Sequence, residues 1–170
     1  MSEVWPLIYS KCPQAEFQII GSEPTPEVLA LASSPGVKVL GFVPETKPYL
    51  EKAAVSVAPL RFGGGMKGKV NEAMAYGLPI VATTFGAQGF NATHGKEMFI
   101  ADDAQGFANA VVQLLRDDTL QKEMGLTGQQ LNADICSPEA IGKKIEEMVA
   151  ISEKITRDKK RQALWLKIKS

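Results

Sequence analysis

Residues 55–82 read VSVAPLRFGGGMKGKVNEAMAYGLPIVA, and this stretch contains an apolar run, a glycine-rich loop, a helical segment and a second apolar run. In the helical segment, Val70, Ala73, Met74 and Gly77 recur at helical spacing and form an apolar stripe along one side. A strand, a helix and a second strand in this order predict a βαβ unit.

The same alternation continues on both sides of this unit. Apolar runs of strand length occupy residues 17–20, 37–40, 55–58, 79–82 and 98–101, and segments long enough for helices separate them, at 26–33, 47–53, 69–76 and 105–115. Several runs are continuously apolar, as expected for a parallel sheet covered by helices on both faces. The sequence therefore predicts an α/β fold with a Rossmann-like, doubly wound parallel sheet.

The two ends of the chain do not follow this alternation of strands and helices. Val4, Trp5, Leu7 and Ile8 stand at helical spacing before the first strand run, so the chain opens with a helix whose preceding strand is absent. After residue 115 the pattern is helical, over 118–133 and 138–155. We predict one domain over residues 1–150 and a helical tail over 151–170, which is basic because it holds seven Lys or Arg against two Asp or Glu.

Composition excludes several classes of function. The chain has 170 residues and a formal net charge of zero, which does not favour nucleic acid as a partner. Cys12 and Cys136 are far apart and have no metal-ligand spacing, and no apolar run reaches the ~20 residues of a membrane span. We expect a cytoplasmic protein whose tail is a solvated helix, with peripheral contact at the inner membrane face or with a missing half of the protein as alternatives.

The glycine-rich loop and the helix that follows it have the features of an anion-binding site. Gly64 and Gly65 lie in a run of three glycines, which allows backbone N–H groups to converge on an anion. Arg61, Lys67 and Lys69 gather where the helix begins, although the helix dipole disfavours cations there. Such a basic cluster makes sense if a bound diphosphate completes it.

Glu72 lies one turn into the helix, on the same side as Lys69. A carboxylate at that distance from a phosphate site accepts hydrogen bonds from ribose hydroxyls in other nucleotide-binding folds, so Glu72 is the candidate ribose ligand. The alternative is an i,i+3 surface ion pair between Lys69 and Glu72, with the glycines merely closing a turn.

Residues 63–83, GGGMKGKVNEAMAYGLPIVAT, resemble the donor-binding signature of glycosyltransferase family 4. Residues 37–43, VKVLGFV, and 85–89, FGAQG, are also similar to that family. The resemblance covers residues 4 to about 150 and implies the C-terminal, nucleotide-sugar-binding half of a GT-B fold. It implies a retaining glycosyl transfer from a nucleotide diphosphate sugar, with the acceptor and catalytic groups in an N-terminal half that is missing here.

The resemblance also implies roles for individual residues. The second Glu of the family's Glu-x7-Glu pattern, which binds ribose, falls at Glu72, and the backbone near Phe42 and Val43 falls where the base is contacted. The first Glu of the pattern falls at Gly64, so the contact to the donor sugar differs here. GT-B transferases generally need no metal or cofactor, and the acid-poor loop, which has no Asp-x-Asp, agrees with this.

Other readings remain open at this stage. A nucleotide-sugar epimerase of the GT-B type and a non-catalytic nucleotide-sugar-binding module would share the same phosphate site. His94, the single histidine, is expected to be a surface residue, and Thr83 and Thr84 follow a strand end where ligands of α/β proteins collect.

Overall fold

The computed structural model describes residues 1–65 and 67–168, with side chains as far as Arg157. It divides the chain into two compact units, Met1–Asn132 and Ala133–Ser170. The boundary between residues 150 and 151, proposed from the sequence, lies within one helix, and the domain assignment stays a prediction.

The first unit alternates strands and helices as the sequence predicts. The strands are β1 (Phe17–Ile20), β2 (Val37–Gly41), β3 (Ser56–Ala58), β4 (Ile80–Ala82) and β5 (Phe99–Ile100). The helices are α1 (Val4–Lys11), α2 (Pro26–Ala30), α3 (Lys47–Leu50), α4 (Gly68–Ala75), α5 (Thr84–Ala87), α6 (Ala104–Arg116) and α7 (Asp118–Cys136), the last of which ends beyond the unit. Each of the five predicted strands is present, and the α/β class with C-terminal helices is confirmed.

The parallel strands form two sections rather than one continuous sheet. β1 pairs with β2, and β3 pairs with β4, which pairs with β5. Every pairing is parallel. The uninterrupted sheet expected from the sequence is thus divided between β1 and β3 among the described residues.

Apolar residues pack on both faces of the strands. One cluster joins residues of α1 and α6 to Val37, Val81 and Phe99. The other joins Ala58, Ile80 and Ala82 to α4. Strand β4 is buried at each of its three positions, because alternate side chains enter opposite clusters.

Helix α4 is held at its end by a glycine and by a second helix. Gly77 has φ +67° and lets the chain leave the helix, with the Leu78 amide donating to the Ala73 carbonyl. Gly125 of α7 lies against the same turn, where a Cβ built on it would stand 2.1 Å from the Gly77 carbonyl oxygen. This contact fixes α7 against the end of α4.

The second unit contains α8 (Pro138–Ile168). Ser137 caps this helix, since its hydroxyl accepts from the Ala140 amide at 3.1 Å. Among its described apolar side chains, those of Ile145, Met148 and Ile155 are half exposed or more. No helix within 1–65 and 67–168 is both long enough and apolar enough to cross a membrane. The basic side chains of the tail from residue 159 onward lie outside the described residues.

Candidate functional site

The glycine-rich loop leaves the carboxyl end of β3 and enters α4. Gly63 and Gly65 adopt φ +125° and +80°, a region that side chains other than glycine rarely occupy. A Cβ built on Gly63, Gly64 or Gly65 would meet no atom within 4 Å. Backbone conformation therefore requires glycine at positions 63 and 65, and the exposed backbone of all three glycines is open to a ligand.

The first turn of α4 is suited to a negative charge. Lys67 occupies the N-cap position and provides no capping hydrogen bond, and the first turn contains no acidic residue. The first amides of a helix have no partner within the helix and carry a partial positive charge. This end of α4 thus offers donors and positive charge together.

The two lysines of the cluster are engaged separately. Lys67 Nζ lies 4.1 Å from the centroid of the Phe85 ring and donates to the Gly63 carbonyl at 3.2 Å. Lys69 Nζ instead donates to Glu72 Oε2 at 3.0 Å. Both ammonium groups stay near the start of α4. They do not converge on one point, although the sequence had led us to expect that they would.

Glu72 has a partner on each carboxylate oxygen. Thr46 Oγ1 donates to Oε1, and Lys69 Nζ donates to Oε2. The hydrogen bond from Thr46, followed by that from Lys69, lowers the pKa of Glu72 against a smaller opposing effect of burial. The i,i+3 pair considered from the sequence is therefore present, and it adds to the larger effect of Thr46 in lowering the pKa of Glu72.

Thr46 connects Glu72 to the segment proposed to contact the base. Phe42 and Val43 begin the loop that runs from β2 to Thr46; the Phe42 side chain is 74% exposed and Val43 is half-buried. The sequence interpretation missed Thr46, whose only local signal is its position before Lys47 and Pro48 at a helix start. Its bond to Glu72 spans 26 residues and becomes visible only in the fold.

A cleft of about 220 Å³ opens at the carboxyl ends of β3, β4 and β5. Arg61, Thr83 and Asp102 line it, together with the N-terminal end of α1. It shares Arg61 with the glycine-rich segment, whereas Lys67, Lys69 and Glu72 are outside its lining. The cleft and the start of α4 are therefore neighbouring features of the same sheet edge.

The remaining candidates have structural partners. Thr83 Oγ1 donates to the Leu60 carbonyl at 2.5 Å and accepts from the Gly86 amide, which caps α5. The side chain and amide of Thr84 each donate to Asp102 at 2.7 Å, and these two bonds lower the pKa of Asp102. Both threonines thus hold the loops at the strand ends.

His94 also has a structural role. Its Nδ1 accepts from the Ile100 amide at 3.0 Å, and its ring lies 5.5 Å from that of Phe99. The side chain is exposed, as expected from the sequence. Within the part of the chain that the structure describes, no three His, Cys, Asp or Glu side chains are placed to hold a metal ion.

A family comparison decides the assignment. The model of the family described as Glycosyl transferases group 1 matches residues 1–117, more than half of the chain. The chain belongs to this family. The match of this group 1 chain includes the glycine-rich loop, α4 and the loop after β2.

Solved structures show the same fold. HepE from Anabaena in complex with UDP superposes with a TM-score of 0.74 at 18% identity, over 88% of this chain and 44% of that one. A mutant of TarM from S. aureus, in complex with UDP, fondaparinux and alpha-GlcNAc-glycerol, gives 0.75 at 22% identity, over 85% of this chain and 31% of that one. The C-terminal domain of LpcC, a group 1 protein from Francisella tularensis, gives 0.65 at 19% identity, over 82% of this chain and 77% of that one.

The likeness of these neighbours confirms the α/β fold of this group 1 chain. The chain spans less than half the length of HepE and TarM. A comparison with curated proteins found no match.

Proposed function

We propose that this chain is the donor-binding domain of a family 4 glycosyltransferase, occupying the C-terminal half of a GT-B enzyme. The observation that carries the proposal is the start of α4, which is uncapped, lacks acidic residues and follows an open triple-glycine loop. A nucleotide diphosphate sugar presents the anion that this arrangement lacks. The structures of HepE and TarM complexes with UDP support a donor of this class.

The proposed contacts use the groups that lie at the start of α4. The diphosphate lies against the amides of Gly64 and Gly65 and the first turn of α4, with Lys67 and Lys69 supplying positive charge. Lys69 then turns from Glu72 toward the phosphates, while Thr46 continues to hold the carboxylate. An ionised carboxylate has about four acceptor positions, so Glu72 retains sites for two ribose hydroxyls.

The proposed reaction places stabilisation of the leaving diphosphate on this domain. Positive groups held at the start of α4 favour the charge that develops as the glycosyl bond breaks. The proposal uses no metal and no cofactor. A second domain supplies the acceptor site, and the reaction retains the anomeric configuration, as the resemblance to family 4 implies.

Lys67→Ala tests the phosphate contact. We expect it to weaken binding of UDP by about 1–3 kcal/mol and to leave binding of uridine unchanged, because uridine lacks the diphosphate. Isothermal titration with both ligands, with EDTA present, measures this difference. GDP and ADP titrated against the unaltered chain identify the base.

A matched control is Lys122→Ala, since Lys122 is an exposed lysine on α7, outside the glycine-rich loop and α4. Its affinities for UDP and uridine should equal those of the unaltered chain. If Lys67→Ala loses equal affinity for UDP and for uridine, this lysine does not contact the phosphates. If the unaltered chain fails to bind UDP in the presence of EDTA, the metal-free proposal is wrong.

A further inference from the structure

The aromatic ring of α5 faces a lysine of the glycine-rich segment. Phe85 is half-buried, and among the described residues it belongs to neither of the two apolar clusters. The ring lies against the ammonium group of Lys67, with Nζ 4.1 Å from the ring centroid. A cation within about 6 Å of a ring face is attracted by the negative face of the aromatic quadrupole. The ring is therefore placed to hold a charge rather than to fill either apolar cluster.

Helix α5 is fixed at the ends of the strands, and the ring is fixed with it. The Thr83 hydroxyl, directly before α5, accepts from the Gly86 amide at 3.0 Å and donates to the Leu60 carbonyl at 2.5 Å. A Cβ built on Gly86 would stand 2.7 Å from the Ala58 carbonyl oxygen, so α5 lies directly against the end of β3. These contacts join the backbone that carries Phe85 to the residues from which the glycine-rich loop departs.

Lys67 is more confined than the second lysine of this segment, and its partners differ in charge. Lys67 is half-buried and donates to the Gly63 carbonyl at 3.2 Å. The Lys69 side chain is 83% exposed, and its Nζ lies 3.0 Å from the carboxylate of Glu72. The ring and the carbonyl that hold Lys67 are neutral, whereas the partner of Lys69 is an anion. Lys67 is thus restricted in position while its charge stays unpaired by any described carboxylate.

This arrangement prepares Lys67 for a bound anion. An ammonium group has three N–H donors, and the bond to the Gly63 carbonyl uses one of them. A second can face the ring, which leaves at least one for a phosphate oxygen. A lysine side chain that is already ordered loses less rotamer entropy when the ligand arrives. A ring that orders Lys67 therefore strengthens binding without contacting the ligand.

We infer that Phe85 is a positioning residue for the donor nucleotide, whose ring holds the Lys67 ammonium at the start of α4 before the diphosphate binds. The inference rests on the proposed function, because it requires that Lys67 contacts the phosphates. It gives α5 a part in the site, since this helix carries the ring and is tied to the start of the loop.

Phe85→Leu tests the inference, because leucine keeps an apolar side chain but has no aromatic face. We expect UDP to bind about two- to tenfold more weakly, the size of effect that ordering one long side chain has, and uridine to bind unchanged. In a Lys67→Ala background, Phe85→Leu should cause no further loss for UDP. Phe85→Tyr keeps the ring and should bind UDP as the unaltered chain does. Isothermal titration of the full chain measures these affinities.

A second measurement needs no ligand. Ring current shifts protons that lie over an aromatic face upfield in the NMR spectrum. The ε-methylene protons of Lys67 should therefore lie upfield of those of Lys122, which is exposed on α7. Phe85→Leu should remove this difference. Equal shifts of the two lysines in the unaltered chain would show that the ring does not hold Lys67, and would overturn the inference.

The binding outcomes separate this inference from the proposed function. If Lys67→Ala weakens UDP binding but Phe85→Leu does not, the inference alone is wrong. It is also wrong if the effect of Phe85→Leu persists undiminished in the Lys67→Ala background, because the ring then acts through some other group. If the unaltered chain does not bind UDP, the proposed function is wrong, and so is the inference.

Discussion

Glu72 shows how far a single position can be interpreted from the sequence. Helical spacing from the glycine-rich loop placed it on the side of Lys69, and the 3.0 Å bond between them confirms that geometry. The bond from Thr46 was not predictable, because it depends on where the loop after β2 folds. Short-range contacts on one helix follow from its period, whereas a contact across the chain requires the fold.

Removing the hydroxyl of Thr46 tests its effect on Glu72. We expect Thr46→Val to raise the pKa of Glu72, because the hydrogen bond from Thr46 is the largest cause of its lowering. Carboxyl-resolved NMR titration measures this pKa. Thr46→Ser is the control, since it keeps the hydroxyl and should keep the lowered pKa.

The same substitution has a defined effect on stability. A lowered pKa in the folded state adds stability above the unfolded pKa of about 4.3, and this contribution is lost as the pH falls through the folded value. Thr46→Val should therefore lower the urea midpoint at pH 7, with the difference shrinking on acidification through that range. A pKa that stays unchanged in Thr46→Val would show that Thr46 does not act on the carboxylate.

At the scale of elements, the predicted strands and most helices agree with the structure, but their ends and one helix do not. Helix α3 ends at Leu50 rather than at residue 53, and α5 was not predicted. Only four residues form α5, which begins where Thr83 accepts from the Gly86 amide. So short a segment has no apolar period to recognise, and it forms because its cap and its packing are provided by neighbouring elements.

Gly125→Ala tests the contact between α7 and the end of α4. A Cβ at this position would stand 2.1 Å from the Gly77 carbonyl oxygen, so the two elements must separate. We expect a loss of about 1–3 kcal/mol in the free energy of unfolding, measured by urea denaturation.

Gly142→Ala provides the matched control in α8, where a built Cβ meets no atom within 4 Å. It should be neutral or stabilise by up to about 1 kcal/mol, because alanine favours a helix interior. Equal effects of the two substitutions would show that Gly125 is not required by close packing.

At the scale of the whole molecule, the alternation of strands and helices was enough to predict the α/β class. The division of the sheet between β1 and β3 was not predicted, because periodicity identifies strands but not their neighbours. The same limit applies to the site, where Lys67 and Lys69 are close in sequence but engage Phe85 and Glu72 separately. Pairing of elements and direction of long side chains are decided by tertiary packing.

The two units should differ in local stability. Side chains of α8 over residues 143–157 are exposed, whereas α6 buries much of its apolar face. We expect amides of residues 146–157 to exchange at least about a hundredfold faster than those of residues 108–114, because little packing opposes opening of α8. Hydrogen exchange followed by mass spectrometry measures both; equal protection would show that α8 is stabilised to the same degree as α6.

The central claim is that Glu72 holds the ribose of a nucleotide whose diphosphate lies at the start of α4. A thermodynamic cycle that combines one mutation with one change in the ligand measures it directly. The unaltered chain and Glu72→Ala are each titrated with UDP and with 2′,3′-dideoxyuridine diphosphate. The unaltered chain should bind UDP more tightly than the dideoxy analogue by about 1–3 kcal/mol, and Glu72→Ala should bind the two alike. The claim is contradicted if Glu72→Ala still prefers UDP by the same margin.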